Sequence, residues 1–159
     1  MPGWRIGWLA GSSEHVDAVL RVKSNMDSGM FLGLQHAAVE ALQQSDDWFE
    51  KLNNLYSLRR TKAFEIMELL SCSYAINQSG LFVWAKVPDT IESVEEWIDA
   101  ILYSTKVFIT PGFIFGKAGQ RFIRISLCSS VEKLQEAYDR IKTSKQQNFS
   151  ALELTKEER

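Results

Sequence analysis

The sequence predicts an α/β chain whose second half is a small α+β lobe, with a mainly antiparallel sheet and flanking helices. Three observations predict this. First, residues 48–70 carry apolar side chains at helical spacing, from Phe49 and Leu52 to Met67 and Leu70, with no Gly or Pro. Second, the short apolar runs LFVWAKV (81–87) and RFIRISL (121–127) are bounded by turn formers and read as strands. Third, helical patterns at 93–104 and 131–145 are interleaved with those runs, an order that places helices on one face of a sheet.

Residues 4–10 alternate around Arg5 and Gly7 and read as a short, largely buried strand. Gly11 to Glu14 form a turn, where Ser12 or Ser13 caps a helix running to about Lys23. Val16, Val19, Leu20 and Val22 give that helix an apolar face. The stretch SNMDSG (24–29) is rich in turn formers and reads as a loop. Helical spacing returns from Met30 to Gln44, and Ser45-Asp46-Asp47 restarts the chain into the long helix from Trp48 to Leu70. At about 22 residues, that helix reaches more than about 30 Å, enough to connect two lobes.

Beyond Ser71 the texture changes. Tyr74 to Ile76 is a short strand, Gln78-Ser79-Gly80 a turn, and Leu81 to Val87 a second strand. Pro88-Asp89-Thr90 leads into the helix from Ser93 to Ser104. Val107 to Thr110, FIFG after the Pro111-Gly112 turn, and Arg121 to Leu127 supply further strands. Ser129 or Ser130 caps a last helix, Val131 to Lys145, and the polar tail frays or adds a weak helix. Residues 1 to about 45 do not look like a complete domain.

Composition sets bounds. The 159 residues are 45% hydrophobic and 24% charged, enough for one ordinary domain and its core. A net charge of −2 gives no basic surface for nucleic acid. No apolar run approaches the ~18 residues of a membrane span, and the first residues lack the pattern of a signal peptide. Cys72 and Cys128 are far apart and read as reduced thiols of a cytoplasmic protein. His15 and His36 have no second ligand nearby, so no metal site is expected, and no Ser-His-Asp or Cys-His constellation can be assembled.

Two arginines stand in apolar strands. Arg124, between Ile123 and Ile125, is either an edge residue reaching solvent or an anion receptor whose planar fork matches a carboxylate. The pattern alone favours the edge, because charges in strands usually face water. For Arg5, a salt bridge to Glu14 or Asp17 is the simpler expectation and a bound anion the alternative. PGFIFGKAGQR (111–121) is not a phosphate loop: three residues separate Gly112 from Gly116, and Ala118 follows Lys117. Trp48, Tyr56, Trp84, Trp97 and Tyr138 are expected in core and interface packing.

In combination these pieces say more. GWRIGW, KSNMDSGMF followed by Gln35 and a helix, GLFVWAKVP, VFITPGFIFG and RFIRISL occur in one order. This order resembles the C-terminal portion of class I/II, fold-type I, pyridoxal-phosphate-dependent aminotransferases, from Met1 to about Lys142. The resemblance implies a layout: residues 1–45 as a remnant of the large cofactor-binding domain, 46–70 as an interdomain helix, 71–146 as the small domain, and 147–159 as a polar tail. It implies that Arg5 contacts the phosphate of pyridoxal 5'-phosphate and that Arg124 grips the substrate α-carboxylate. Asn25 and Asp27 lie where the family lends residues to a neighbouring subunit's active site, so a homodimer is expected. The family's Schiff-base lysine would fall a few residues before Met1, so no catalytic residue is assigned within the chain, and Lys23 and Lys117 stand in the wrong contexts. The chain alone is therefore expected to be inactive in amino transfer between an amino acid and a 2-oxo acid. Alternatives are a fold-type I lyase built on the same scaffold, or a non-catalytic dimerisation or effector-binding module. No second carboxylate-binding arginine is identifiable, with Arg21, Arg59 and Arg60 as weak candidates.

Overall fold

The computed structural model describes residues 2–157, with side chains described over 3–146. The chain divides into two compact units, Met1–Lys51 and Leu52–Arg159. The boundary falls inside one long helix, α3 (Asp46–Leu69).

The first unit carries a 3-10 turn, Pro2–Trp4, then helices α1 (Ser13–Met26) and α2 (Leu32–Leu42) and the start of α3 (Asp46–Leu69). The strand expected at 4–10 does not form. A strand needs a neighbour for its N–H and C=O groups, and the first unit offers none. Ser12 stands at the N-cap of α1, but its hydroxyl is bonded to His15 Nδ1 at 2.8 Å instead of capping a backbone N–H. α1 runs three residues further than expected, which absorbs the first half of the SNMDSG loop. Neither α1 nor α2 has a buried residue. Trp4, Trp8, Val19, Leu20, Phe31 and Leu42 are all exposed.

The second unit holds the core. After α3 come β1 (Phe82–Lys86), α4 (Val94–Thr105), β2 (Thr110–Pro111), two 3-10 turns (Gly112–Phe115 and Lys117–Gly119), β3 (Phe122–Ser126) and α5 (Val131–Glu157). The sheet is antiparallel with order β1-β3-β2. Its register pairs Val83 with Ile125, Trp84 with Arg124 and Ala85 with Ile123, while Thr110 pairs Arg124 on the other side. Alternate residues of β1 and β3 are fully buried. Val83, Ala85, Ile123 and Ile125 meet Ala63, Ile66 and Met67 of α3, Ile98 and Ile101 of α4, and Leu134 and Ile141 of α5. One face of the sheet is thus closed by three helices.

Two expected strands are reduced. Residues 74–76 form no strand, and only a bridge between Ser73 and Lys86 remains. The run from Val107 keeps just Thr110 and Pro111 as strand, and FIFG becomes a 3-10 turn because Pro111 has no N–H to continue a ladder. The caps follow local chemistry. Ser93 accepts a hydrogen bond from Glu96 N–H at 3.2 Å, with Glu96 three residues inside α4, the pattern of a capping box. Ser130 accepts from Lys133 N–H at the start of α5. Ser71, with φ 58°, ends α3 in the left-handed region, and Lys145 of α5 donates to the carbonyl of Leu69 there. The α5 backbone stays helical to Glu157, past the expected end near Lys145. Of the tail, residues 158–159 lie outside the described residues.

Candidate functional site

Arg124 is at the centre of the strongest candidate. Because β3 is the middle strand, Arg124 is not at a sheet edge. Its neighbours are Trp84 on one side and Thr110 on the other. The expectation of an edge charge reaching solvent is therefore corrected: the residue is half-buried on the sheet face opposite the helices. Two-residue periodicity explains this, since Ile123 and Ile125 take the core face and leave Arg124 the other. The guanidinium lies against two rings, with Cζ 4.1 Å from the Phe82 centroid and 4.3 Å from that of Phe115. No acidic side chain among the described residues pairs with it. Its Nε is buried without a hydrogen-bond partner. Arg124 also lines a mainly apolar cleft, where Val107, Phe108, Ile109 and Leu134 stand beside the hydroxyls of Thr110, Ser126 and Ser129 and a second cation, Lys133.

A charged, half-buried group with unspent donors is expensive unless an anion completes it. The fork of a guanidinium matches a planar carboxylate in geometry and charge. The cleft therefore has the chemistry of a carboxylate receptor.

The turn beside it depends on two glycines. Gly112 is buried, and a Cβ there would meet the carbonyl oxygens of Gly119 and, at 2.7 Å, of Phe122. A Cβ on Gly119 would meet the carbonyl group of Gly112, its carbon at 2.6 Å. The two 3-10 turns thus cross backbone to backbone, and that crossing places Phe115.

The other expected site residues lie in the first unit. Arg5 is exposed, with φ 54°, and forms no ion pair with Glu14 or Asp17, contrary to the salt bridge favoured from sequence. Asn25 sits in the last turn of α1, not in a loop, and its amide donates to Arg21 O at 2.6 Å. Asp27 ends α1. A hydrogen bond from Lys23 holds its carboxyl below the usual range, and Gly29 N–H adds a bond to it at 3.3 Å. Lys23 is thus engaged in an ion pair with Asp27, while Lys117 is exposed in a 3-10 turn.

Three other arginines, Arg121, Arg59 and Arg60, are structural. Arg121 donates to Ile91 O at 2.6 Å and Pro88 O at 2.7 Å, pinning the turn before α4. Arg59 donates to Leu127 O at 3.0 Å and Arg60 to Gly80 O at 3.3 Å, which ties α3 to the ends of the sheet strands. Their use on carbonyls counts against either as a second carboxylate receptor. Sequence reasoning missed Phe82 and Phe115 as neighbours of Arg124. Register could have found Phe82, since it lies on the same sheet face, but Phe115 comes from a turn whose path no periodicity encodes. Trp48, expected in packing, is exposed and meets Phe49 edge-on at 5.1 Å.

No helix among the described residues is long and apolar enough to cross a membrane, and no group of three or more His, Cys, Asp or Glu among them could hold a metal ion.

Known proteins carry the same frame. The LL-diaminopimelate aminotransferase of Halothermothrix orenii is 38% identical over 144 residues, 91% of this chain and 37% of that protein. A solved aminotransferase from Staphylococcus aureus superposes with a TM-score of 0.73 at 29% identity, covering 91% of this chain and 38% of its own. An aromatic aminotransferase from Pyrococcus horikoshii OT3 gives 0.77 at 25% identity, covering 93% and 40%. The chain thus spans somewhat more than a third of the length of these relatives. The family model described as aminotransferase class I and II matches residues 1–141, across both units and the Arg124 strand, and the chain belongs to that family.

Proposed function

We propose that this chain forms part of a pyridoxal-phosphate-dependent amino-acid aminotransferase and supplies its carboxylate grip. The observation that carries the reading is Arg124: a half-buried guanidinium on a central strand, with no acidic partner and no side-chain hydrogen bond, whereas Arg59 and Arg60, whose Nε atoms are equally unpaired, each donate to a carbonyl. Arg124 binds the α-carboxylate of an amino acid and of the 2-oxo acid formed from it. That carboxylate persists through amino transfer, so one receptor serves both half-reactions. Holding it fixes the orientation of Cα relative to whatever removes its proton.

Arg5 fits the role of a cationic partner for the cofactor phosphate, because it is exposed and unpaired by carboxylates. Pyridoxal phosphate, when bound, supplies the electron sink that lets the Cα proton leave. Asn25 and Asp27 are read as residues lent across a subunit boundary. The exposed apolar side chains of the first unit fit burial in a homodimer, and the family reading alone carries the proposal of a cytoplasmic biosynthetic enzyme. Neither Lys23 nor Lys117 is read as a cofactor-linking lysine. Incubating the chain with stoichiometric pyridoxal phosphate and reducing with borohydride should therefore label neither above the other exposed lysines, and an adduct mapped selectively to either would overturn this assignment.

Arg124 is tested by titrating the chain with maleate while following arginine Nε–H resonances. Maleate should shift the Arg124 resonance, and Arg124→Lys should weaken binding by ~10-fold or more, since an ammonium lacks the bidentate fork. Unchanged maleate affinity in Arg124→Lys would remove the basis of this reading.

A further inference from the structure

Arg124 is held by rings where a buried arginine ordinarily has a carboxylate. The Phe82 ring comes from β1, two residue pairs along the ladder and so on the same sheet face, and the Phe115 ring from the 3-10 turn after β2. Phe115 also meets Trp84 at 5.4 Å with planes 68° apart, and Trp84 is the cross-strand partner of Arg124. Three aromatic side chains from two elements thus define one position for the guanidinium.

This arrangement has a chemical consequence. A carboxylate partner would occupy the N–H edge of the guanidinium, the same edge an incoming anion needs. An aromatic ring attracts the cation through its π face and takes no N–H donor. The rings therefore keep Arg124 ordered while its Nε stays without a hydrogen-bond partner. An arginine ordered in advance loses less side-chain freedom when it binds, which raises affinity without a new contact to the ligand.

We propose that Phe82 and Phe115 are positioning residues for Arg124, setting the affinity of its cleft for a carboxylate by fixing the guanidinium while its N–H donors stay uncommitted to other side chains. The proposal rests on the reading of Arg124 as a carboxylate grip. It goes beyond that reading by assigning the grip's strength to two side chains that need not touch the ligand. The Gly112 and Gly119 crossing belongs to the same device, because it sets where Phe115 stands.

The test uses the whole chain, labelled at arginine nitrogen, with the Arg124 Nε–H resonance identified by its loss in Arg124→Lys. Ring currents from Phe82 and Phe115 should displace this resonance upfield, and both Phe82→Leu and Phe115→Leu should return it toward the ordinary arginine position. Maleate affinity should fall by roughly 5- to 10-fold in each, the size of one cation–π contact. Phe115→Tyr keeps the π face and should retain both the shift and the affinity. Phe115 is 51% exposed, so its substitution leaves the helix-covered core intact, and amide dispersion checks this. An Arg124 resonance and a maleate affinity unchanged in both leucine variants, with binding lost in Arg124→Lys, would overturn the positioning role and spare the carboxylate reading. Maleate affinity unchanged in Arg124→Lys would sink the carboxylate reading, while the resonance position still judges the contact with the rings.

Discussion

At the scale of single residues, environment decides more than residue type. Tyr74 stacks on Phe64 with centroids 4.3 Å apart and donates its hydroxyl to Glu68 at 2.6 Å. The carboxylate accepting that proton, aided by burial, pushes the phenol up to about 12. The folded pKa is raised, so the neutral form is the one stabilised. Its contribution is present below the ordinary pKa of 10 and lost as pH rises toward 12. Phenolate absorbance should show one tyrosine ionising near pH 12, and Glu68→Gln should bring it down; a tyrosine unaffected by that change contradicts the assigned cause. Cys72 behaves similarly: burial raises its thiol to about 11, which leaves it inert, whereas Cys128 is exposed. The sequence placed Arg124 in a strand among isoleucines. It did not contain the ring contacts, because those depend on how β1, β3 and a distant turn come together.

At the scale of elements, periodicity was reliable where an element satisfies its own backbone. Helices α1 to α4 stand within three residues of where apolar spacing puts them, because a helix closes its hydrogen bonds locally, while α5 runs on to Glu157, past its expected end near Lys145. Strands were less legible. The alternating stretch at 4–10 and the short run at 74–76 lack a partner over their length, while Phe82–Lys86 and Phe122–Ser126 have each other. The turn crossing after β2 was not visible at all, since the sequence marks glycines without saying what approaches them. It yields a firm expectation. Gly112→Ala should destabilise the chain by about 1–3 kcal/mol, because the added methyl meets backbone carbonyls that cannot step aside. Thermal melting checks this, and Gly116→Ala is a useful contrast: nothing lies within 4 Å of its Cβ, so only its φ of 117° opposes the change.

At the scale of the molecule, the two units differ in kind. The second has a closed core from Ala63 to Ile141, and the first has no buried hydrophobic residue among those described. Amide exchange should therefore be fast through α1 and α2 and slow in β3 and α4, where opening requires loss of the core. Equal protection in both units would contradict this. Trp8 at 79% and Phe31 at 76% exposure are large exposed apolar side chains of the first unit. The sequence by itself determined the helices, the two long strands, the arginine between isoleucines and the order of pieces shared with the aminotransferases. Those features are local: they need only spacing, capping and residue type. Only the tertiary structure decided that β3 is central, that Arg5 finds no carboxylate, and that Phe82 and Phe115 hold the guanidinium. Strand order and ring contacts join residues far apart in the chain, and no local pattern records which of them will meet.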